Sequence, residues 1–491
     1  MNVSVPSDKS SWRVGVFLLL AVAVLACLSV LLINGGPLYY YDTGSYIRQG
    51  NVALNTFLPT VNEVGGGGGY TADQDGTATG SRSLIYGLVM AIFFRANALT
   101  AIPFFHLAGV VLTVWLLARA ANRALEGTCN TTLMITVPLL GAAVTSLPFY
   151  IAYMMPDIFA PILLIAIAAL TAFGRSMRVW ELLLMSGLAA FSVISHPSHL
   201  AIDGLMVPFV ILAALSVRAP GRWRAVTLVV LVLAIAVAER KAFQITVETR
   251  TDKEVVYTPH ITARLIVDGP GMDYLNDVCP DENVPTCALH EALSWSDDPY
   301  RMTASHIIFE RSPRLGSFRL MSAEDQKHVA LSQREFAKAV FLSRPVATSL
   351  ALAENGYRQI LRDSVRMTIP SEQALDNARH LARLDDSQQD LIQGGLLSKD
   401  RGWIAAADIL HRTIYAGSFV VIVVLLLIPR SVSRDIKLFA LFILIGIAVN
   451  ALVCGGVSQP ADRYGARVMW LLPFTAAFLL IVRQHAAKRD L

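Results

Sequence analysis

Asp42, Asp157, the His196/His199 pair and Arg463 have the side chains and settings in this 491-residue chain that could do chemistry. Asp42 stands in GGPLYYYDTGSYIRQG, among Tyr39, Tyr40, Tyr41 and Tyr46. A carboxylate whose position fixes an acceptor hydroxyl can take its proton as a general base, and aromatic faces suit sugar stacking. The bland alternative is a helix-capping Asp in an interfacial aromatic belt. Asp157, in YIAYMMPDIFA, either caps the helix it precedes or, at the depth of Asp42, positions an acceptor or shares a divalent ion such as Mg or Mn. His196 and His199, in SHPSHL, are spaced to face one site. As imidazolium they would bind phosphate; such residues also cap helices or fill polar cavities. Arg463-Tyr464, in QPADRYGARVMW, offers a guanidinium fork for two phosphate oxygens. Arg82 is a second candidate for that role, and Arg463 could instead be an interfacial snorkeller.

Other patterns carry less. Asp73 and Asp75 form a DxD, but in a glycine-rich loop and as a pattern short enough to arise by chance. The run Gly65 to Gly69 reads as a mobile hinge or lid, and without a following GK[ST] it is no phosphate-binding loop. GxSxG, HExxH and Walker patterns do not occur, so hydrolase and ATPase readings have no foothold. Cys279 and Cys287, in CPDENVPTC, fit a bridge closing a short loop in an exported compartment.

The elements that must hold these residues are membrane spans. The chain is 54% apolar and only 16% charged, against roughly 25% charged in soluble domains. Its apolar residues fall into blocks near the roughly 20 residues that cross a bilayer. Spans are expected near 14–34, 102–118, 131–150, 158–174, 180–195, 200–217, 225–240, 410–428, 436–454 and 466–483. Segment 83–94, too short to cross, is expected to be re-entrant or interfacial. The first run continues past Cys27 through Ile33, too long for a signal-peptide core.

Orientation follows from basic residues near span ends. Lys9, Arg13, Arg119, Arg123, Arg175, Arg178, Arg218, Arg222, Arg224, Arg430, Arg434, Lys437, Arg483, Lys488 and Arg489 all fall on one side if ten spans alternate. Both termini would then be cytoplasmic, with the loop 35–101 and the segment 241–408 exported. Arginine outnumbers lysine 33 to 8, a weak hint of a GC-rich bacterial genome, so the membrane would be a bacterial inner membrane and the exported side a periplasm. A net charge of +4, spread over short loops, argues against nucleic acid as a partner. Three units result: 1–240, 241–408 and 409–491. In the second, 254–267 looks partly extended, while 323–342, 346–362 and 372–398 look helical, with Phe336, Val340 and Phe341 on one stripe. A mixed α/β soluble segment is the expectation.

This layout resembles the GT-C superfamily of membrane glycosyltransferases, which take sugars from polyprenyl-linked carriers. The resemblance rests on Asp42 in YYYDTGSYI after the first span, on SRSLIYGLVMAIFF, on the arginine-ended LLARAANR, on Asp157, and on Arg463-Tyr464 before the last span. It covers mainly residues 14–175. It implies that Asp42 is the catalytic base, that Asp157 assists, and that the partners are a polyprenyl-phosphate sugar donor, membrane lipid and a glycan or lipid acceptor. Two departures stand out: Thr43 follows Asp42 where the superfamily often has a second acid, and the soluble segment is inserted before the final three spans. Tyr41, Tyr46, Arg82, His196, His199, Arg463 and Tyr464 complete the expected substrate site. A glycan polymerase or ligase would share the topology but use arginines at its centre. A lipid or solute transporter would need ionisable residues at mid-bilayer, and the spans carry few.

Overall fold

A computed structural model describes residues 9–55, 58, 77–216, 220–280, 284–384 and 388–487. Gly65 to Gly69, Asp73 and Asp75 lie outside the described residues. Among those described, six helices are long and apolar enough to cross a membrane: Leu99–Ala124, Pro156–Phe173, Pro197–Ser216, Ile404–Leu427, Arg434–Val457 and Asp462–Gln484. The chain is therefore an α-helical, multi-pass membrane protein. The other expected spans take different forms. The first run is split into Lys9–Cys27 and Ser29–Asn34, the latter closed by Gly35 in the left-handed conformation (φ 73°) that terminates many helices. Thr131–Ala143 and Val179–Ser195 are apolar but shorter. Arg224–Thr251 is one unbroken helix of 28 residues, about 42 Å at 1.5 Å per residue. It runs past the expected boundary at 240 and carries Glu239, Arg240 and Lys241 in its course.

The inserted segment is helical, which corrects the expectation of a mixed α/β fold. Among its described residues only Glu254–Val256 forms a strand, and His260–Val267 is a helix. A short apolar run such as ITARLIV satisfies either period, and packing decides it: Ala263, Leu265 and Ile266 enter a core built with Leu275, Leu289, Ile307, Phe318, Val329, Phe336 and Val340. Phe341 is not on that stripe; its ring is exposed. Within 372–398 the helix covers Glu372–Ala382 and a further turn covers Leu396–Lys399. Val365, Ile369, Leu375, Ala378, Ala382 and Ile392 bury themselves in the membrane bundle's core instead. The segment thus has a core of its own up to Val340 and a second half fused to the bundle. Cys279 and Cys287 are joined by a disulfide, Cα–Cα 5.6 Å.

Three contacts of long sequence separation bring the candidate residues together. Leu38 pairs with Tyr153 in a parallel bridge, with Leu38 N–H donating to Ala152 O and Met154 N–H to Leu38 O, both at 2.8 Å. Thr77–Thr79 pairs in parallel with Glu254–Val256, and Ser81 Oγ accepts from Thr258 N–H at 2.9 Å. Helix Glu372–Ala382 packs on Thr43–Leu54 so closely that a Cβ on Gly44 would collide with the Ala378 carbonyl.

Candidate active site

Because Leu38 is tied to Tyr153, the backbone arrives at Asp42 and at Asp157 from adjacent paths. Asp42 immediately precedes helix Thr43–Leu54, and Asp157 sits in the 3-10 turn Pro156–Ile158 that leads into Phe159–Phe173. Neither side chain caps its helix. Both carboxylates turn instead to arginines. Arg82 Nη2 donates to Asp42 Oδ1 at 2.5 Å, and Arg463 Nη1 lies 3.6 Å from Asp42 Oδ2. Arg463 Nη2 donates to Asp157 Oδ2 at 3.2 Å, and Arg467 Nη1 to Asp157 Oδ1 at 3.2 Å. The result is an alternating chain, Arg82–Asp42–Arg463–Asp157–Arg467. It joins three segments of sequence, the first holding Asp42 and Arg82, the second Asp157 and the third Arg463 and Arg467.

Burial grades along this chain. The Asp157 and Arg467 side chains are fully buried, Arg463 is 5% exposed, and Asp42 is 14% exposed. Asp42 is thus the carboxylate that a substrate could reach. Arg463 is no snorkeller. Its guanidinium lies 4.8 Å from the Tyr40 ring and 5.0 Å from the Tyr464 ring, and its Nε has no partner. Tyr150 Oη–H donates to Arg463 O at 2.6 Å, which pins the backbone of helix Asp462–Met469. Burying charges costs several kcal/mol per ion, on the order of what pairing returns. A cluster with this much of its charge out of water is a functional-site candidate.

The remaining expected residues divide. Tyr46 is fully buried, its ring 5.9 Å from the Arg82 guanidinium and its hydroxyl unpartnered. Tyr464 faces both Arg463 and Arg467. Tyr41 meets the edge of Tyr40 (5.4 Å), and Tyr40, with Tyr464, is an aromatic on the arginine. His196 caps helix Pro197–Ser216: its Nδ1 accepts from Ser198 N–H at 3.2 Å. Burial, with His199 and the nearby arginines, holds the His196 imidazole well below its ordinary range. Ser198 Oγ meets His196 Nδ1 at 2.8 Å and Arg467 Nη2 at 3.3 Å, so His196 reaches the cluster through one hydroxyl. His199 Nδ1 bonds Ser192 O at 2.7 Å, and its Nε2 has no partner.

The sequence reading passed over three residues. Arg467 looked like the start of the last span; it holds Asp157, Asn450 Oδ1 (2.8 Å) and Cys454 Sγ (3.1 Å). His260 is half-buried near Arg82 and Asp42, and burial together with Arg82 holds its imidazole down at about 4, against the pull of Asp42. Asp203, one turn after His199, is fully buried with both oxygens unpartnered. An acid inside an apolar helix was the signal available for Asp203.

A divalent ion shared by Asp42 and Asp157 does not fit this arrangement, because the Arg463 guanidinium bridges the two carboxylates. Among the described residues, no three His, Cys, Asp or Glu side chains converge as a ligand set. The chain matches no family model, no curated protein and no solved structure. What defines it is its architecture, a multi-pass helical membrane protein with an arginine–aspartate chain of ion pairs where three of its segments meet.

Proposed function

We propose that this protein is a membrane glycosyltransferase of GT-C type, moving a sugar from a polyprenyl-phosphate donor to a glycan or lipid acceptor with inversion. The observation that carries the reading is Asp42: the accessible carboxylate of an ion-pair chain that also holds two buried arginines. Its Oδ1 is taken by Arg82, but Oδ2 is 3.6 Å from Arg463, beyond a good hydrogen bond, and so is the oxygen left to accept from a hydroxyl. In the proposed step that hydroxyl gives its proton to Asp42 as its oxygen bonds to the anomeric carbon. The bond from that carbon to the donor phosphate oxygen breaks, and the electron pair leaves with the phosphate. Arg463, with Arg82, stabilises the charge developing there. Asp157 and Arg467 hold Arg463 in place and act as positioning residues. The site would face the exported side of a bacterial inner membrane, with both termini cytoplasmic.

The test is transfer of label from polyprenyl-phosphate-linked sugars to endogenous glycan and lipid by the purified chain in lipid nanodiscs. Product stereochemistry is read by NMR. Label appearing in an inverted linkage supports the reading, and absence of transfer with every donor class contradicts it. Asp203 favours a second reading, a proton-coupled transporter, since an unpartnered acid in a spanning helix is the group such proteins titrate. Solute flux into vesicles, abolished by Asp203→Asn and indifferent to Asp42→Asn, would select transport.

A further inference from the structure

A second charged site lies outside the Asp42 ion-pair chain. Helices Gln333–Ser343 and Pro345–Ile360 meet at a bend of 112°, and the second packs against Arg434–Val457, a candidate span. The packing is close: Gly356 abuts Leu452, and a Cβ on Gly455 would strike the Asn355 carbonyl. The opposite face of Pro345–Ile360 is apolar and uncovered. Val346, Leu350, Tyr357 and, just past the helix, Leu361 are each more than half exposed. Their spacing of four, seven and four residues puts them on one stripe. A helix that is seated on a spanning helix and shows an apolar stripe to its surroundings fits the bilayer interface.

At the C-terminal end of that stripe is a cavity of about 420 Å³, lined by Arg264, Arg358, Arg362, Asn355, Thr303 and Gln459 among others. Three guanidiniums border it and no carboxylate does. Asp268 pairs with Arg264 and accepts from Asn355 Nδ2 at 2.6 Å, while Glu354 pairs with Arg358; neither acid is in the lining. Arg264 is 93% buried, taking its 7% exposure from the whole, and its Nε has no partner. Arg358 and Arg362 are one turn apart, each directly following a stripe residue, Tyr357 and Leu361. Basic pockets beside membrane helices are what lipid phosphates occupy, and guanidiniums grip phosphate oxygens in pairs.

We infer that this cavity binds the phosphate headgroup of an anionic membrane lipid, whose acyl or isoprenoid chain lies along the Val346–Leu361 stripe. The inference is independent of the transferase reading. Gln459 and Pro460 line the cavity, and Arg463 follows three residues after Pro460, so lipid seated here contacts the loop that carries the buried arginine.

The experiment is native mass spectrometry of the full chain in detergent with phosphatidylglycerol, phosphatidylcholine of the same chains, and glycerol 3-phosphate. One phosphatidylglycerol retained in preference to the other two, with occupancy falling roughly tenfold or more in the Arg358→Gln/Arg362→Gln double variant, is the expected result. Both arginines are exposed, so an unchanged unfolding midpoint separates lost binding from lost fold. Equal retention of phosphatidylcholine overturns the inference. So does glycerol 3-phosphate binding as well as the lipid, which would make this a site for soluble phosphates. An undiminished occupancy in the double variant overturns it too.

Discussion

Two clusters in this protein place two arginines on one fully buried acid, and they differ in what surrounds the charge. In one, Glu181 takes Arg119 Nε and Arg123 Nη1 at 3.0 Å each, and Arg123 Nη2 as well. Its second oxygen also accepts from Arg178 N–H at 2.9 Å, closing a capping box at the start of Val179–Ser195. Both arginine side chains are 31% exposed, and Arg119 lies over the rings of Trp115 and Trp180. Surplus charge there faces outward, and every oxygen of the acid is used to join helices. In the other, Arg463 and Arg467 converge on Asp157 with almost no exposure, tyrosine rings wall the guanidiniums, and the chain of pairs opens at Asp42. The first arrangement is a fastener. The second keeps charge out of water beside an accessible carboxylate, which suits binding an anion and moving a proton.

The comparison can be broken by removing each acid in turn. Asp157→Asn leaves Arg463 and Arg467 without their shared carboxylate, and loss of one partner from a buried pair costs about 3–5 kcal/mol. A fall of that size in the chemical-unfolding free energy in detergent is expected, with transfer lost. Glu181→Gln keeps one acceptor oxygen and gives up the other, but leaves its arginines partly in water. It should cost only about 1 kcal/mol after solvent screening, with per-molecule transfer unchanged. Equal destabilisation by the two would erase the distinction. Arg463→Lys tests the ion-pair chain more gently. A point charge cannot bridge Asp42 and Asp157 as the fork does, so single-turnover transfer should drop by roughly tenfold, while Arg463→Ala should also weaken donor binding. An unchanged rate in the lysine variant would move the phosphate contact to Arg82 or Arg467. The smallest effect concerns sidedness. Single cysteines at positions 300 and 390 in a cysteine-free background should react with impermeant thiol reagents from outside, and one at position 220 should not. Labelling at 220 would reverse the proposed orientation.

Much of this was legible because helix period and charge are local properties. Apolar blocks marked the long helices, and Asp42, Asp157, Arg82 and Arg463 each stood out as charges at the rims of such blocks. The structure joins those four in one chain of contacts. What was not legible depends on contacts between distant segments. The Leu38–Tyr153 bridge that aligns the two carboxylates is two hydrogen bonds with no residue signature. Arg467 read as a span boundary because its partners Asp157 and Asn450 come from two other helices. The choice of Tyr40 over Tyr41 follows from which ring the local turn aims at Arg463. The 260–267 run could not be assigned by period, since eight residues satisfy strand and helix alike.

The central claim is that Asp42 takes the acceptor proton. Asp42→Asn keeps the side chain's size and its contact to Arg82 through the remaining oxygen, and removes the base. Single-turnover transfer from a polyprenyl-phosphate sugar, measured beside the thermal unfolding midpoint of the same preparation, tests it directly. The account predicts a loss of about a hundredfold or more in a protein that unfolds within a few degrees of the parent. Transfer at near the parent rate by the folded variant would contradict it, and would hand the chemistry to the arginines.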